Sequence, residues 1–258
     1  MSAGTSAAPV ALGAMQRTAV VFRREFRSYF QTPLAAVFRV IFLFLAGLFT
    51  FNIGGFYDRN QADLRPFFQF HPWLYVFLVP AVSMRLWAEE RRTGTIELAM
   101  TLPFGVRDLV LGKFLAAWAF TVIALLLTFP IWITVAWLGE PDHGAIAVGY
   151  LASALLGGSF LAIGAFLSAL TKNQVIAFIL AAAGGFVLML AGIDVVLGFL
   201  RPWASTAVVD FVATLSVLTH FQQITRGVIE ATTLVFYLGL IATCLFANTA
   251  LIEREKAK

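Results

Sequence analysis

The sequence predicts an all-α integral membrane protein. It has six transmembrane helices and an N-terminal amphipathic helix at the interface. A short cytoplasmic helix lies between spans two and three, and a re-entrant or surface helical hairpin between spans five and six. Three observations carry this. Hydrophobic residues make up 60% of the chain and charged residues 12%, with a mean hydropathy of +0.87, whereas a soluble chain carries about twice that charged share. The apolar residues gather into runs of about 20, enough for a helix to cross the bilayer. Lys and Arg collect in alternate loops and not along a groove, which excludes a nucleic-acid reading of the +4 net charge.

Residues 1–13 are expected to be disordered, and 14–258 to form a single transmembrane domain. The N-terminus is not expected to be a cleavable signal, because no basic residue precedes its weakly apolar stretch, which Pro9 and Gly13 interrupt. The segment 14–31, AMQRTAVVFRREFRSYFQ, sets Val20, Val21, Phe22, Phe26, Tyr29 and Phe30 roughly opposite Arg17, Arg23, Arg24 and Arg27. That pattern fits a helix lying on the membrane, and Thr32-Pro33 ends it.

The six spans are expected at approximately 34–56, 68–88, 109–138, 146–170, 174–199 and 231–252. Pro80 and Pro130 fall inside spans two and three and should kink them, since each removes a backbone donor. Gly149, Ser153 and Gly157, then Gly164, Ser168 and 181–185, let helix backbones approach closely, either within the chain or between subunits. The segment 211–221 is too short for a span, so 200–230 reads as a re-entrant or surface pair of helices. Cys244, the one cysteine, reads as a small apolar side chain. The 26 phenylalanines suit lipid-facing packing, and also a lateral path for an apolar or amphipathic substrate between spans one and five of two subunits.

Charge sets the orientation. With the N-terminus inside, thirteen Lys and Arg lie on the inner side, and only Arg59, Arg65, Arg201 and Arg226 on the outer. Arg39, in the first turns of span one, can snorkel inward. Both termini are therefore expected in the cytoplasm.

The most informative stretch is 85–113, RLWAEERRTGTIELAMTLPFGVRDLVLGK. Thr93-Gly94-Thr95 can open a short helix running to Leu102, with Thr95 as N-cap, Glu97 favoured by the helix dipole and Pro103 as the stop. Ile96, Ala99 and Met100 share an apolar face beside Leu98. Glu89, Glu90, Arg91 and Arg92 precede it at the mouth of span two. A helix of about two turns is unstable alone, so the protein's own surface or a second protein must hold it.

This run resembles permeases of the ABC-2 type. The resemblance rests on E-E-x-x-x-G-T-I-E from Glu89 to Glu97, on Leu102-Pro103 and on Leu111-Gly112-Lys113. FFQFHPW at 67–73 and LSVLTHFQQITRGVI at 215–229 are similar to the gliding-motility-associated branch. The resemblance implies a permease half whose 93–102 helix is a coupling helix seated in a groove of a cytosolic ATP-hydrolysing subunit, with Glu89, Glu90 and Arg92 near the contact. It also implies a second permease half, either the same chain or a paralogue, and the inner membrane of a bacterium, and it suggests a periplasmic auxiliary subunit. No cofactor is expected on this chain: G-x-x-x-x-G-K-[ST] is missing, and Gly105 to Gly112-Lys113-Phe114 has the wrong spacing and no hydroxyl. ATP and Mg would belong to the partner.

Other candidates are sparser. Asp194 is the ionisable residue best placed at membrane depth, but it lies near the outer end of span five, where a structural role outweighs a substrate one. His220 and Arg226 are placed to meet a substrate headgroup or periplasmic partner, or to be ordinary loop residues. His71, His143 and His220 have no mutual metal-ligand spacing, and no catalytic constellation supports an enzyme. The function expected is the permease subunit of an ATP-driven exporter. The alternative is a non-transporting scaffold that passes ATP-driven conformational work to a periplasmic partner through 200–230.

Overall fold

The computed structural model describes residues 13–256 other than 60, 102, 103 and 229, without the side chains of residues 34 and 98–100. The described chain is helical throughout and contains no strand. Helix α1 (Ala14–Gln31) ends where expected, at extended Thr32 before Pro33. Helix α2 (Pro33–Leu48) runs on through a π turn at Phe49–Ile53, where Thr50 donates to Ala46 O at 2.6 Å. A short helix α3 (Arg65–Gln69) leads into α4 (His71–Ser83), α5 (Arg85–Thr93) and α6 (Thr95–Thr101).

Helices α7 (Val106–Leu126) and α8 (Phe129–Leu138) together form one apolar rod of 33 residues. Its break at Leu127 and Thr128 lies just before Pro130, the second residue of α8. Pro80, by contrast, is buried within α4. Helices α9 (His143–Ala169) and α10 (Gln174–Leu190) follow, then α11 (Asp194–Leu200), α12 (Thr206–Thr214), α13 (Val217–Ile224) and α14 (Ala231–Lys256).

Four of these elements are long and apolar enough to cross a membrane: Ala35–Ile53, Val106–Leu138, His143–Ala169 and Ala231–Lys256. The number rises to six if each of two bent pairs counts as a span. The expected fifth span is one such pair, α10 and α11, bent by 83°; the other is α12 and α13, bent by 57° within the expected hairpin. The expected second span divides at Met84, and α4 alone is 13 residues long.

Helix α9 is the buried centre. Helix α4 runs parallel to it, with His71 beside Ser153 and Ser83 against Gly164. The small residues of α9 make this approach possible: a Cβ on Gly149 would lie 2.4 Å from the Phe68 ring, and one on Gly164 would lie 2.0 Å from Ser83 Oγ. The Gly149, Ser153 and Gly157 stripe therefore packs within the chain, against Phe68, His71 and Tyr75. Gly185 of α10 likewise faces Phe160. Cys244 is half-buried against the same core.

At 1.5 Å per residue α9 is about 40 Å long. Its N-terminus marks one end of the bundle and its C-terminus the other, which is called here the α6 end. Arg39 turns toward that end: its Nε donates to Ala35 O at 3.3 Å and its guanidinium lies 5.1 Å from the Phe30 ring centre.

Candidate functional site

The charged stretch after α4 is helical from Arg85, and four other elements hold it. Ser168 on α9 places its hydroxyl inside the backbone ladder at the α4–α5 break. Its Oγ donates to Met84 O at 2.9 Å and accepts from Trp87 N at 3.3 Å and Ala88 N at 3.1 Å. A side chain inserted in this way takes the place of the helical bond from Ala88 N to Met84 O and interrupts the ladder between α4 and α5.

Farther along α5, Arg91 donates to Ala169 O and pairs with Glu255 of α14. The first of these sets a cation at the C-terminal end of α9, where the helix dipole favours it. Glu90 turns inward toward α7. Its Oε1 accepts from Lys113 Nζ at 2.7 Å and lies 3.9 Å from Arg24 Nη2. Lys113 is buried and also donates to Glu25 Oε1 of α1 at 3.3 Å. Burial alone would raise the Glu25 carboxyl, but Lys113 and Arg24 outweigh it and hold the pKa below the usual carboxylate value. Two carboxylates thus compensate an ammonium that would be costly to bury unpaired, and Arg24 balances their second negative charge.

Helix α1 is pinned to α7 a second time. Asp108 Oδ2 accepts from Gly105 N at 3.0 Å, closing the N-terminus of α7, and lies 2.9 Å from Arg17 Nε. The Arg17 N–H is aimed off that line, so the contact is one of charge more than an aligned hydrogen bond. Thr18 donates to Asp108 Oδ1 at 3.3 Å. Between these polar ties Gly112 lets the backbones close up: a Cβ there would lie 2.6 Å from Val21 Cγ1 and 3.1 Å from Thr18 O.

Of the residues expected at a partner contact, the structure turns Glu90 and Arg91 into the bundle and pairs Glu89 with Arg85 at 2.7 Å. Arg92, Thr93, Gly94, Thr95 and Glu97 face outward, and Ile96 packs partly against the core. Gly94 adopts φ of +73°, the left-handed turn that ends α5 and starts α6. Thr95, expected as the N-cap, is instead the first helical residue. Its hydroxyl lies 2.9 Å from that of Thr93, and the left-handed Gly94 displaces the helix start by one position. The expected stop at Leu102-Pro103, and the side chains of Leu98, Ala99 and Met100, lie outside the described residues, as do residues 1–12.

The remaining candidates lie away from this cluster. Asp194 is exposed in the first turn of α11, where the helix dipole favours a carboxylate. His220 stacks on Phe236 at 4.1 Å, lies 3.1 Å from Thr214 O and 3.5 Å from Thr233 Oγ1, and so ties α13 to α14. His71 is fully buried among Phe42, Phe67, Phe68 and Tyr75, with Nδ1 3.3 Å from Ser153. His143 accepts from Trp132 Nε1 at 3.0 Å. Arg226 is exposed at the end of the bundle opposite α6, beside Arg65.

Sequence reasoning missed the two features that fix α5. Ser168 read only as a small residue, and Lys113 only as part of a motif. Lys113 gave some signal, since it is a cation several residues inside an apolar run.

Residues 19–252 match the family model described as ABC-2 family transporter protein. Comparison with curated proteins finds no match.

Proposed function

The chain belongs to the ABC-2 family of transporter proteins, and on that footing we propose that it is an export permease half driven by a cytosolic ATPase that grips α6. A multi-pass permease subunit of an ATP-binding-cassette transporter is what the family establishes, and the family implies a cytosolic ATPase partner. The observation that carries the finer reading is the outward-facing step from Arg92 to Glu97, mounted on a helix tied to α1, α7, α9 and α14. A force applied at α6 reaches α7 through Glu90 and Lys113. It reaches α9 through Ser168 and Arg91, and α14 through Glu255. Helix α5 is then the lever of the permease.

In this reading six spans cross the inner membrane of a bacterium, with both termini cytoplasmic. Helices α4 and α5 together make the second span, α10 and α11 the fifth, and α12 and α13 form an outer hairpin. A second permease half completes the pore, ATP and Mg are bound by the partner, and the motifs at 67–73 and 215–229 support membership of the gliding-motility-associated branch. A periplasmic auxiliary subunit would dock on the hairpin. The exposed Trp203 and Phe211 there also favour the alternative, a scaffold that passes mechanical work to a periplasmic protein without transport.

Purification of the chain from its native membrane in mild detergent tests the reading. An ATPase should accompany the chain, and Glu97→Arg should release it while the permease stays folded. Retention of the ATPase by that variant overturns the docking assignment. Deleting the 200–230 tip separates the alternatives: loss of a periplasmic partner with ATPase coupling preserved favours the scaffold.

A further inference from the structure

A groove opens at the end of the bundle opposite α6, between α3 and α13. Its volume is about 510 Å³, within the range of ligand pockets, roughly 300–1,000 Å³. Arg65 comes to it from α3 and Arg226 from the turn after α13, with Gln69 and Gln222 beside them and Leu218 and Phe221 forming the apolar part of the wall. Among the described residues no carboxylate lines it. Arg226 has no ion-pair partner among the described residues, and Arg65 has only Asp63 at 3.9 Å.

A smaller cavity of about 130 Å³ shares Arg65, Thr225 and Arg226 and adds Asp63 and Asp142. Both carboxylates are committed to backbone. Asp142 accepts from Ala145 N at 3.0 Å and caps α9, and Asp63 accepts from Arg65 N at 3.2 Å. The backbone fixes where Arg226 stands. Gly227 takes φ of +92°, turning the chain directly after it, and a Cβ there would lie 3.3 Å from Ala145. Pro66, at the second position of α3, fixes the backbone next to Arg65 in the same way.

Two guanidinium groups from separate elements, two carboxamides and an adjoining apolar wall form a set that suits one class of ligand. Arginine binds phosphate and carboxylate by paired N–H donors, and Leu218 with Phe221 offers the neighbouring surface for a hydrocarbon. We infer that this groove binds an anionic amphipath, its phosphate or carboxylate between Arg65 and Arg226 and its apolar part along Leu218 and Phe221. The site does not depend on ATPase coupling and stands or falls without it.

The test is calorimetric titration of the purified chain, held in a neutral maltoside detergent, with dodecyl phosphate. Arg65→Gln/Arg226→Gln should weaken binding about tenfold or more, as the loss of charge-assisted hydrogen bonds requires. Arg201→Gln, which removes an arginine that does not line the groove, should leave binding unchanged. Arg65→Lys/Arg226→Lys should bind between wild type and the Gln variant, which shows that charge and not misfolding sets the loss. Inorganic phosphate separates a free anion from a lipid-like one: much weaker binding supports the amphipath, and equal binding overturns it. Equal affinity of wild type and the double Gln variant for dodecyl phosphate overturns the site itself. Because no ATPase enters the assay, its failure leaves the coupling reading untouched, and the reverse also holds.

Discussion

Lys113 Nζ lies 2.7 Å from Glu90 Oε1 in a side chain that is almost wholly buried, so a charge of α7 is neutralised by the helix that carries the exposed step. Glu25 of α1 completes the group at 3.3 Å. Three elements distant in sequence thus meet on one ammonium. Removing Lys113 leaves two carboxylates facing each other with only the half-exposed Arg24 beside them. Lys113→Ala should destabilise the chain by about 3–5 kcal/mol, the cost typical of breaking a buried pair from one side. Lys113→Met with Glu25→Gln and Glu90→Gln should recover most of that loss, since the one charge then left unpaired, on Arg24, is half-exposed to water. Thermal unfolding in detergent compares the three proteins.

The same group predicts an acid limb. The folded-state pKa of Glu25 lies below its unfolded value, near the usual ~4.3 for glutamate, because Lys113 and Arg24 overcome the effect of burial. Its contribution is therefore complete above the unfolded value and is lost as pH falls through the folded one. Stability should stay flat in this respect from pH 7 to 5 and decline below about pH 4. Glu25→Gln should be less stable at pH 7 and should show a shallower decline in acid. Melting temperatures across that pH range check both points.

Ser168→Ala should free three backbone groups at the α4–α5 break, Met84 O, Trp87 N and Ala88 N. A cost of about 1–3 kcal/mol is expected for buried groups left unsatisfied. The functional effect should exceed the thermal one: ATPase binding persists, because α6 is untouched, while coupling fails because α5 is no longer held to α9. Co-purification and nucleotide-dependent transport, measured on the same preparation, separate these outcomes.

Gly112→Leu should push α1 off α7, because even a Cβ would meet Val21 at 2.6 Å and Thr18 O at 3.1 Å. Arg23 and Arg24 should then be cut faster by trypsin in inside-out vesicles. Gly198→Leu, at a glycine with open space around it, should change nothing in that assay.

Much of the frame was legible in the sequence because it depends on local patterns. Helix α1 follows from its alternation of aromatic and basic residues and from the Thr32-Pro33 stop. The break after Leu126 follows from Pro130. What was not legible depends on partners far apart in the chain. Glu90 looked like a surface charge, yet Lys113 and the neighbouring charges of α1 take it inward. The Gly149, Ser153 and Gly157 stripe identified a close-packed face, but periodicity could not say that Phe68, His71 and Tyr75 were what it met. The break at Met84 had no local sequence signal, since the group inserted there is a hydroxyl on α9. The Arg65 and Arg226 groove was hidden for the same reason, the two being 161 positions apart.

The central claim is that α6 is the contact through which an ATPase drives this permease. A photocrosslinking amino acid placed at Glu97, and in a separate protein at Arg226, tests it most directly in native membranes. The account predicts an adduct between position 97 and a nucleotide-hydrolysing subunit, and none with that subunit from position 226. An ATPase adduct from position 226, or no ATPase adduct from position 97 in a preparation that transports, would contradict it.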